Sequence, residues 1–225
     1  MQGLQYTVDI ALCIDATGSM SGIIDRAKAS ALSFYEDLTT AMDEKDKKID
    51  KLRIRVISFR DYYVDGDQSM VLSTFFELPE QKAEFSAFVG GIYAGGGGDE
   101  PENGLEALAL AMKSDWTKTG DKRRQVVVVW TDASVHPLEK DVGSKPSHYP
   151  AGLPKTFDEL TDLWEDNQGV LERSAKRLII YGPDSYAWTD IGNHWNNSIH
   201  YPSKAGEGLN DIDYKTILDA IAHSV

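Results

Sequence analysis

The chain has 225 residues, an ordinary apolar fraction of 41% and a formal net charge of −13 at pH 7. This length suits one α/β domain over residues 1–225, and its apolar content can build a sizeable core. A strongly acidic surface repels phosphate backbones, so we expect no nucleic-acid partner.

The number of cysteines and the length of the apolar segments indicate the cellular compartment. The one cysteine, Cys13, lies inside an apolar run and can form no internal disulfide. A lone buried cysteine usually packs as a small apolar residue. The sequence shows no secretory leader and no apolar run near the ~20 residues of a membrane span. We therefore expect a cytoplasmic protein without a membrane span, and leave its oligomeric state open.

The first half of the chain alternates apolar runs with segments of helical period. Residues 8–14 form an apolar run, broken only by Asp9, that predicts a buried strand. Apolar positions from Ile23 to Met42 mark one face of a helix, which Ser19 or Ser21 can cap. Residues 52–59 predict the next strand. Residues 70–76 predict an antiparallel neighbour of that strand, and residues 80–89 predict a helix.

The second half continues the same alternation. After the glycine run 95–98, Pro101 is placed to open a helix, and four consecutive valines within residues 125–130 predict a central strand. Residues 133–155 have no clear period and predict an irregular surface excursion. A further helix is predicted to begin at Thr156. Residues 177–181 and 198–201 predict two strands, and residues 211–223 predict a final helix.

This order of elements predicts the fold class. Strands that alternate with helices give a doubly wound, three-layer α/β/α domain with helices on both faces of the sheet. We expect a mostly parallel, Rossmann-like sheet of about six strands, with one antiparallel edge strand. The first strand and the valine strand should be neighbours at its centre.

Ligands of such sheets bind beyond the carboxyl ends of the strands, where the strand order reverses. Oxygen-rich segments stand at these places: Asp15-Ala16-Thr17-Gly18-Ser19 after the first strand and Thr131-Asp132 after the valine strand. The glycine run is followed by a third such segment, Asp99-Glu100-Pro101-Glu102. Carboxylate and hydroxyl oxygens suit Mg²⁺, Mn²⁺ or Ca²⁺ better than Zn²⁺.

The pattern Asp15-x-Thr17-x-Ser19 between a strand and a helix resembles the metal-ion-dependent adhesion site of von Willebrand factor A domains. In that family a second, glycine-rich loop gives a Thr and a third loop gives an Asp. The resemblance implies Asp15, Thr17, Ser19, Asp99 and Asp132 as metal ligands. It also implies a protein partner that binds the metal through an acidic side chain, and no catalysis.

The second loop departs from the family pattern, because Asp99 stands where the family usually has Thr. A further acid near the cation would strengthen metal binding and weaken binding of a partner's carboxylate. Glu100 is an alternative ligand in this loop.

Other interpretations of these residues stay open. Thr17, Ser19 and the acids before Pro101 could be ordinary helix caps, and the site could be a purely structural staple in an accessory domain. A phosphohydrolase would need a second acid at the position of Thr17. The histidines lack metal-site spacing, and the aromatic residues of segment 186–201 are expected to pack in the core or loops.

Overall fold

The computed structural model describes residues 5–22, 24–45, 48–98, 100–141, 144–165 and 170–203. Its strands are β1 Tyr6–Asp15, β2 Lys51–Phe59, β3 Met70–Leu72, β4 Phe76–Leu78, β5 Lys122–Trp130, β6 Lys176–Pro183 and β7 Ser198–Ser203. Its helices are α1 Ile24–Asp43, α2 Lys82–Gly91, α3 Gly104–Met112, α4 Phe157–Glu165 and α5 Tyr186–His194. The expected final helix over residues 211–223 lies outside the described residues.

The strands form one seven-stranded sheet in the order β3-β2-β1-β5-β6-β7, with β4 also paired to β2. β2, β1, β5, β6 and β7 run parallel. The predicted neighbours β1 and β5 are paired along their whole length, for instance Ile10 with Val126. β1 has β2 on one side and β5 on the other. The order of the strands in the sheet therefore reverses direction between β1 and β5. Loops after β1 and β5 therefore meet at one place.

The predicted antiparallel edge strand is present but broken in two. β3 and β4 both run antiparallel to β2, and their pairing is interrupted between Leu72 and Phe76. At this break the Ser73 hydroxyl accepts the hydrogen bond of the Val56 backbone N–H at 2.9 Å. A side chain thus replaces a backbone acceptor in the ladder, which explains why one predicted strand becomes two.

Helices cover both faces of the sheet, as the sequence predicts. On one face α1 and α2 bury Phe34, Leu38 and Phe85 against the even-numbered positions of β1. On the other face α3, α4 and α5 pack on its odd-numbered positions, and their largest buried side chains are Trp164 and Trp188. The sheet is therefore the middle of three layers.

Two helices differ from the expectation. α5 occupies part of the aromatic segment for which no helix was predicted, and it is held by burial of Trp188 and Ile191. α3 begins at Gly104, three residues after Pro101. The irregular segment is as expected: apart from one bridge at Val135, its described residues form no strand or helix. Among the described helices, none combines the length and the apolar character that crossing a membrane requires.

Candidate metal centre

The loop after β1 is organised around the carboxylate of Asp15, which is completely buried. Its Oδ1 accepts hydrogen bonds from the Thr17 backbone N–H at 2.9 Å and from the Thr17 hydroxyl at 2.6 Å. Its Oδ2 accepts a hydrogen bond from the Thr131 hydroxyl at 2.6 Å. Asp15 therefore joins the ends of β1 and β5 and fixes the position of Thr17.

Ser19 connects this first loop to Asp132. The Ser19 hydroxyl lies 3.1 Å from the Thr17 hydroxyl and donates a hydrogen bond to Asp132 Oδ1 at 2.9 Å. The second carboxylate oxygen of Asp132, Oδ2, is buried and has no hydrogen-bond partner. The structure thus brings Asp15, Thr17, Ser19 and Asp132 together.

The glycine loop closes the site from the other side. The Gly95 N–H donates to the Ala16 carbonyl at 3.0 Å, and the Gly18 N–H donates to the Gly96 carbonyl at 3.1 Å. Gly97 has a φ of +68°, and a Cβ there would lie 2.6 Å from Glu102 Oε1 and 3.1 Å from Thr17 Cβ. Only glycine suits this backbone conformation and this close approach.

Among the described acids of the second loop, Glu102 is buried at the site. Glu102 is only 5% exposed, and its Oε2 has no hydrogen-bond partner. Glu100 also borders the site but is exposed, and its Oε1 accepts a hydrogen bond from the Ser134 N–H at 2.7 Å. Asp99 lies outside the described residues, so its expected role as a ligand stays a prediction.

These loops surround a cavity of about 160 Å³. Its described lining contains no basic side chain and consists of Thr17, Gly18, Ser19, Gly96, Gly97, Gly98, Glu100, Glu102, Asp132 and Ala133. Buried carboxylates without a basic neighbour either take up a proton or require another source of positive charge. A cation in this cavity would provide it.

The electrostatics of the site agree with this need. Burial raises the pKa of Asp15 to about 6, although hydrogen bonds from Thr131 and Thr17 oppose the shift. Burial, followed by the charges of Asp15 and other nearby acids, raises the pKa of Glu102 to about 8. Burial likewise raises the pKa of Asp132. Each shift reflects the cost of burying a negative charge, which a bound cation would reduce.

The donor set fits a hard divalent cation. In the described part of the chain, no three His, Cys, Asp or Glu side chains form a compact metal-binding group. The donors here include two hydroxyls, those of Thr17 and Ser19, together with two buried carboxylate oxygens that lack partners, Asp132 Oδ2 and Glu102 Oε2. Such oxygen donors suit Mg²⁺, Mn²⁺ or Ca²⁺.

Arg60, which sequence reasoning did not single out, holds the surrounding loops together. It follows β2, is 3% exposed, and its guanidinium donates to the carbonyls of Ala16, Gln68 and Tyr93 at 2.7–2.9 Å. These carbonyls belong to separate loops at the same edge of the sheet. Arg60 therefore positions the backbone around the cavity rather than contributing a ligand.

Comparison with known proteins agrees with this fold. A family model described as the von Willebrand factor A domain matches residues 9–141. The alpha-protein kinase vwkA of Dictyostelium discoideum is 30% identical over 159 residues, which are 69% of this chain and 23% of the kinase.

Solved structures show the same fold at low identity. The pilus adhesin SpaC of Lactobacillus rhamnosus GG is 11% identical with a TM-score of 0.60, over 99% of this chain and 31% of the adhesin. The open conformation of the same adhesin is 12% identical with a TM-score of 0.57, over 99% of this chain and 30% of the adhesin. Proximal thread matrix protein 1 of the mussel byssus gives 12% and 0.50, over 97% of this chain and 46% of that protein. The chain thus spans less than half the length of each of these proteins. The family match covers more than half of the chain, so this protein belongs to the von Willebrand factor A domain family.

Proposed function

We propose that this domain binds another protein through a divalent cation, Mg²⁺ or else Mn²⁺ or Ca²⁺, held in the cavity between β1, β5 and the glycine loop. The observation that carries the proposal is the pair of buried carboxylate oxygens without hydrogen-bond partners, Asp132 Oδ2 and Glu102 Oε2, at one cavity. Membership of the von Willebrand factor A family supports a role in protein interaction.

The residues of the site divide the work. Thr17, Ser19 and Asp132 offer oxygens to the cation. Glu102 adds a further oxygen from the second loop, and Asp99 keeps its predicted role as a ligand there. Asp15 keeps both its oxygens in hydrogen bonds to Thr17 and Thr131, so it orients the other ligands. A bound cation would supply positive charge to which an acidic side chain of the partner can coordinate.

We further propose that the domain is not an enzyme. A phosphohydrolase of the Asp-x-Asp type needs a nucleophilic acid and a general acid two residues apart. Here Thr17 holds the second position, and its hydroxyl donates a hydrogen bond to Asp15 Oδ1. The similarity to a kinase concerns 23% of that protein's length and carries no claim of kinase activity for this chain.

The test combines calorimetry with affinity capture from cell lysate. Mg²⁺ should bind the wild-type domain. Asp132→Asn should weaken that binding by at least about tenfold, or about 1.4 kcal/mol, because a neutral amide replaces a charged ligand. The matched control is Asp190→Asn, a carboxylate on α5 outside the cavity. Captured proteins should disappear with chelator and with Asp132→Asn, and should persist with Asp190→Asn.

Two results would count against the proposal. If Mg²⁺, Mn²⁺ and Ca²⁺ all fail to bind the wild type, the cavity is not a metal site. If a cation binds but the captured proteins are the same in every sample, the cation only stabilises the fold and does not mediate recognition.

A further inference from the structure

The first residues after Asp132 hold Glu102 in place. Val135 forms a β-bridge with Glu102. The Glu102 backbone N–H donates to the Ser134 carbonyl at 3.0 Å, and the His136 N–H donates to the Glu102 carbonyl at 2.9 Å. Both backbone polar groups of Glu102 are therefore bound to the segment after β5. The position of Glu102 at the cavity depends on where that segment lies.

A buried ion pair fastens the same segment to α3. Lys140 Nζ lies 3.5 Å from Glu106 Oε1, and the two side chains are 5% and 0% exposed. The Tyr149 hydroxyl donates to the same carboxylate oxygen at 2.9 Å. Lys140 Nζ also donates to the Pro137 carbonyl at 2.6 Å, which ties the pair to the residue after His136. We call Glu106, Lys140 and Tyr149 the Glu106 clamp.

The clamp is also connected to Glu102 through the start of α3. Asn103 follows Glu102 directly and precedes α3, and Glu106 lies in the first turn of that helix. The Asn103 Oδ1 accepts a hydrogen bond from the Tyr62 N–H at 2.7 Å, and the Tyr62 ring packs against the Tyr149 ring at a centroid distance of 4.9 Å. The clamp is therefore linked to Glu102 from α3 as well as from the segment after β5.

Stability alone does not account for this ion pair. Glu106 is completely buried, and its second oxygen, Oε2, has no hydrogen-bond partner. Replacing a buried ion pair by uncharged side chains of similar size is often neutral or stabilising, because the charges lose their hydration on burial. A shift that separated Glu106 from Lys140 would leave two buried charges unpaired, which is strongly unfavourable. The pair therefore favours one position of the segment over others.

We infer that the Glu106 clamp positions Glu102 for the cation, although none of its three residues lines the cavity. This inference rests on the proposed function, in which Glu102 offers an oxygen to the ion. The connecting contacts run from Lys140 to the Pro137 carbonyl and from the His136 N–H to the Glu102 carbonyl. A metal site binds more tightly when neighbouring groups hold its ligands in place, so loosening the clamp should weaken cation binding.

The test removes the charges of the pair and keeps the size of its side chains. In the double variant Glu106→Gln, Lys140→Met, the Gln oxygen can still accept the hydrogen bond of Tyr149. Mg²⁺ affinity, measured by calorimetry, should fall about tenfold, because a contact that supports a ligand is lost. In chelator, hydrogen exchange of the Glu102 and His136 backbone amides, followed by NMR, should become at least about tenfold faster.

A second buried pair provides the matched control. The Lys176 side chain is 1% exposed, lies 3.8 Å from Glu165 Oε2 and donates to the Trp164 carbonyl, at the amino end of β6. Glu165→Gln, Lys176→Met makes the same two changes there and should leave Mg²⁺ affinity and both amide exchange rates as in the wild type. Tyr149→Phe keeps the ring contact with Tyr62 and guards against misfolding of the double variant. It should weaken Mg²⁺ binding about threefold, because one neutral hydrogen bond is lost.

Each outcome decides a different point. If the clamp variants keep the wild-type Mg²⁺ affinity, or if exchange of the Glu102 amide is unchanged, the inference is wrong and the proposed function stands. An equal loss of affinity in the Lys176 control would assign the effect to general destabilisation and would also overturn the inference. If Mg²⁺, Mn²⁺ and Ca²⁺ all fail to bind the wild type, the proposed function fails, and amide exchange alone then decides whether the clamp holds Glu102.

Discussion

Replacing Glu102 by Gln tests the electrostatic account of the site most directly. Glu102 has an ordinary pKa of 4.5, which the fold raises to about 8. An acid whose folded pKa is raised binds its proton more tightly in the folded state than in the unfolded state. In the absence of metal, its contribution to stability is therefore largest at low pH and falls as the pH rises through the folded pKa.

The size of the effect follows from this shift. Between pH 6.5 and 8.5 the unfolded side chain is already ionised, while the folded one loses its proton. Linkage then lowers the free energy of unfolding by about 2 kcal/mol across this window. For a domain of this size the change corresponds to a fall in Tm of roughly 4–8 °C. Asp15, with a pKa raised to about 6, titrates mostly below the window.

Urea unfolding in chelator at both pH values, followed by tryptophan fluorescence, measures the difference. Wild type should lose about 2 kcal/mol at the higher pH, whereas Glu102→Gln should remove most of that loss because Gln does not ionise. Glu100→Gln is the matched control, since Glu100 is exposed at the same cavity. It should leave the pH dependence within ~0.5 kcal/mol of wild type.

The reasoning fails if wild-type stability is flat over this window, or if Glu102→Gln keeps the full dependence. Addition of saturating Mg²⁺ should flatten the wild-type curve, because the cation binds the deprotonated site and competes with protons. If the free energy of unfolding of the wild type depends equally steeply on pH in Mg²⁺, the cation does not interact with Glu102.

Two further substitutions probe the backbone around the cavity. Gly97→Ala places a Cβ 2.6 Å from Glu102 Oε1 at a φ of +68°, so we expect a loss of about 1–3 kcal/mol in stability and weaker Mg²⁺ binding, measured by urea unfolding and calorimetry. Gly90→Ala, where a Cβ meets nothing within 4 Å, is its control and should not weaken metal binding. Arg60→Met leaves three buried or partly buried carbonyls without their donor, and urea unfolding should show a loss on the order of 3 kcal/mol. A loss below ~1 kcal/mol would mean that Arg60 does not hold these loops together.

Much of the fold could be predicted because the buried strands are strongly apolar. β1 and β5 contain the apolar runs 10–14 and 126–130, and the two strands are neighbours in the sheet. Helix α5 could not be predicted in the same way. It contains Gly192 and Asn193, which favour helix weakly, and tertiary burial of Trp188 stabilises it.

The candidate site was predictable where a ligand directly follows a strand. Asp15 ends β1 and Asp132 stands two residues after β5, so their place in the sequence fixes their place in the fold. Glu102 lies between the glycine loop and α3, where no period indicates which side chain points inwards. Its burial accompanies the close approach of Gly97, whose φ of +68° is a conformational feature that a sequence pattern does not contain.

The carboxylates of Asp15, Glu102 and Asp132 come from positions far apart along the chain, and they approach one another only after β1 and β5 have paired. An unfolded chain therefore has no comparable cation site, and any cation that binds does so to the folded state. By mass action, a cation at a hundred times its Kd would add about 2.7 kcal/mol to folding stability. The fraction of folded domain would then rise with the concentration of the ion. Most folded domains that a partner meets would already hold the cation.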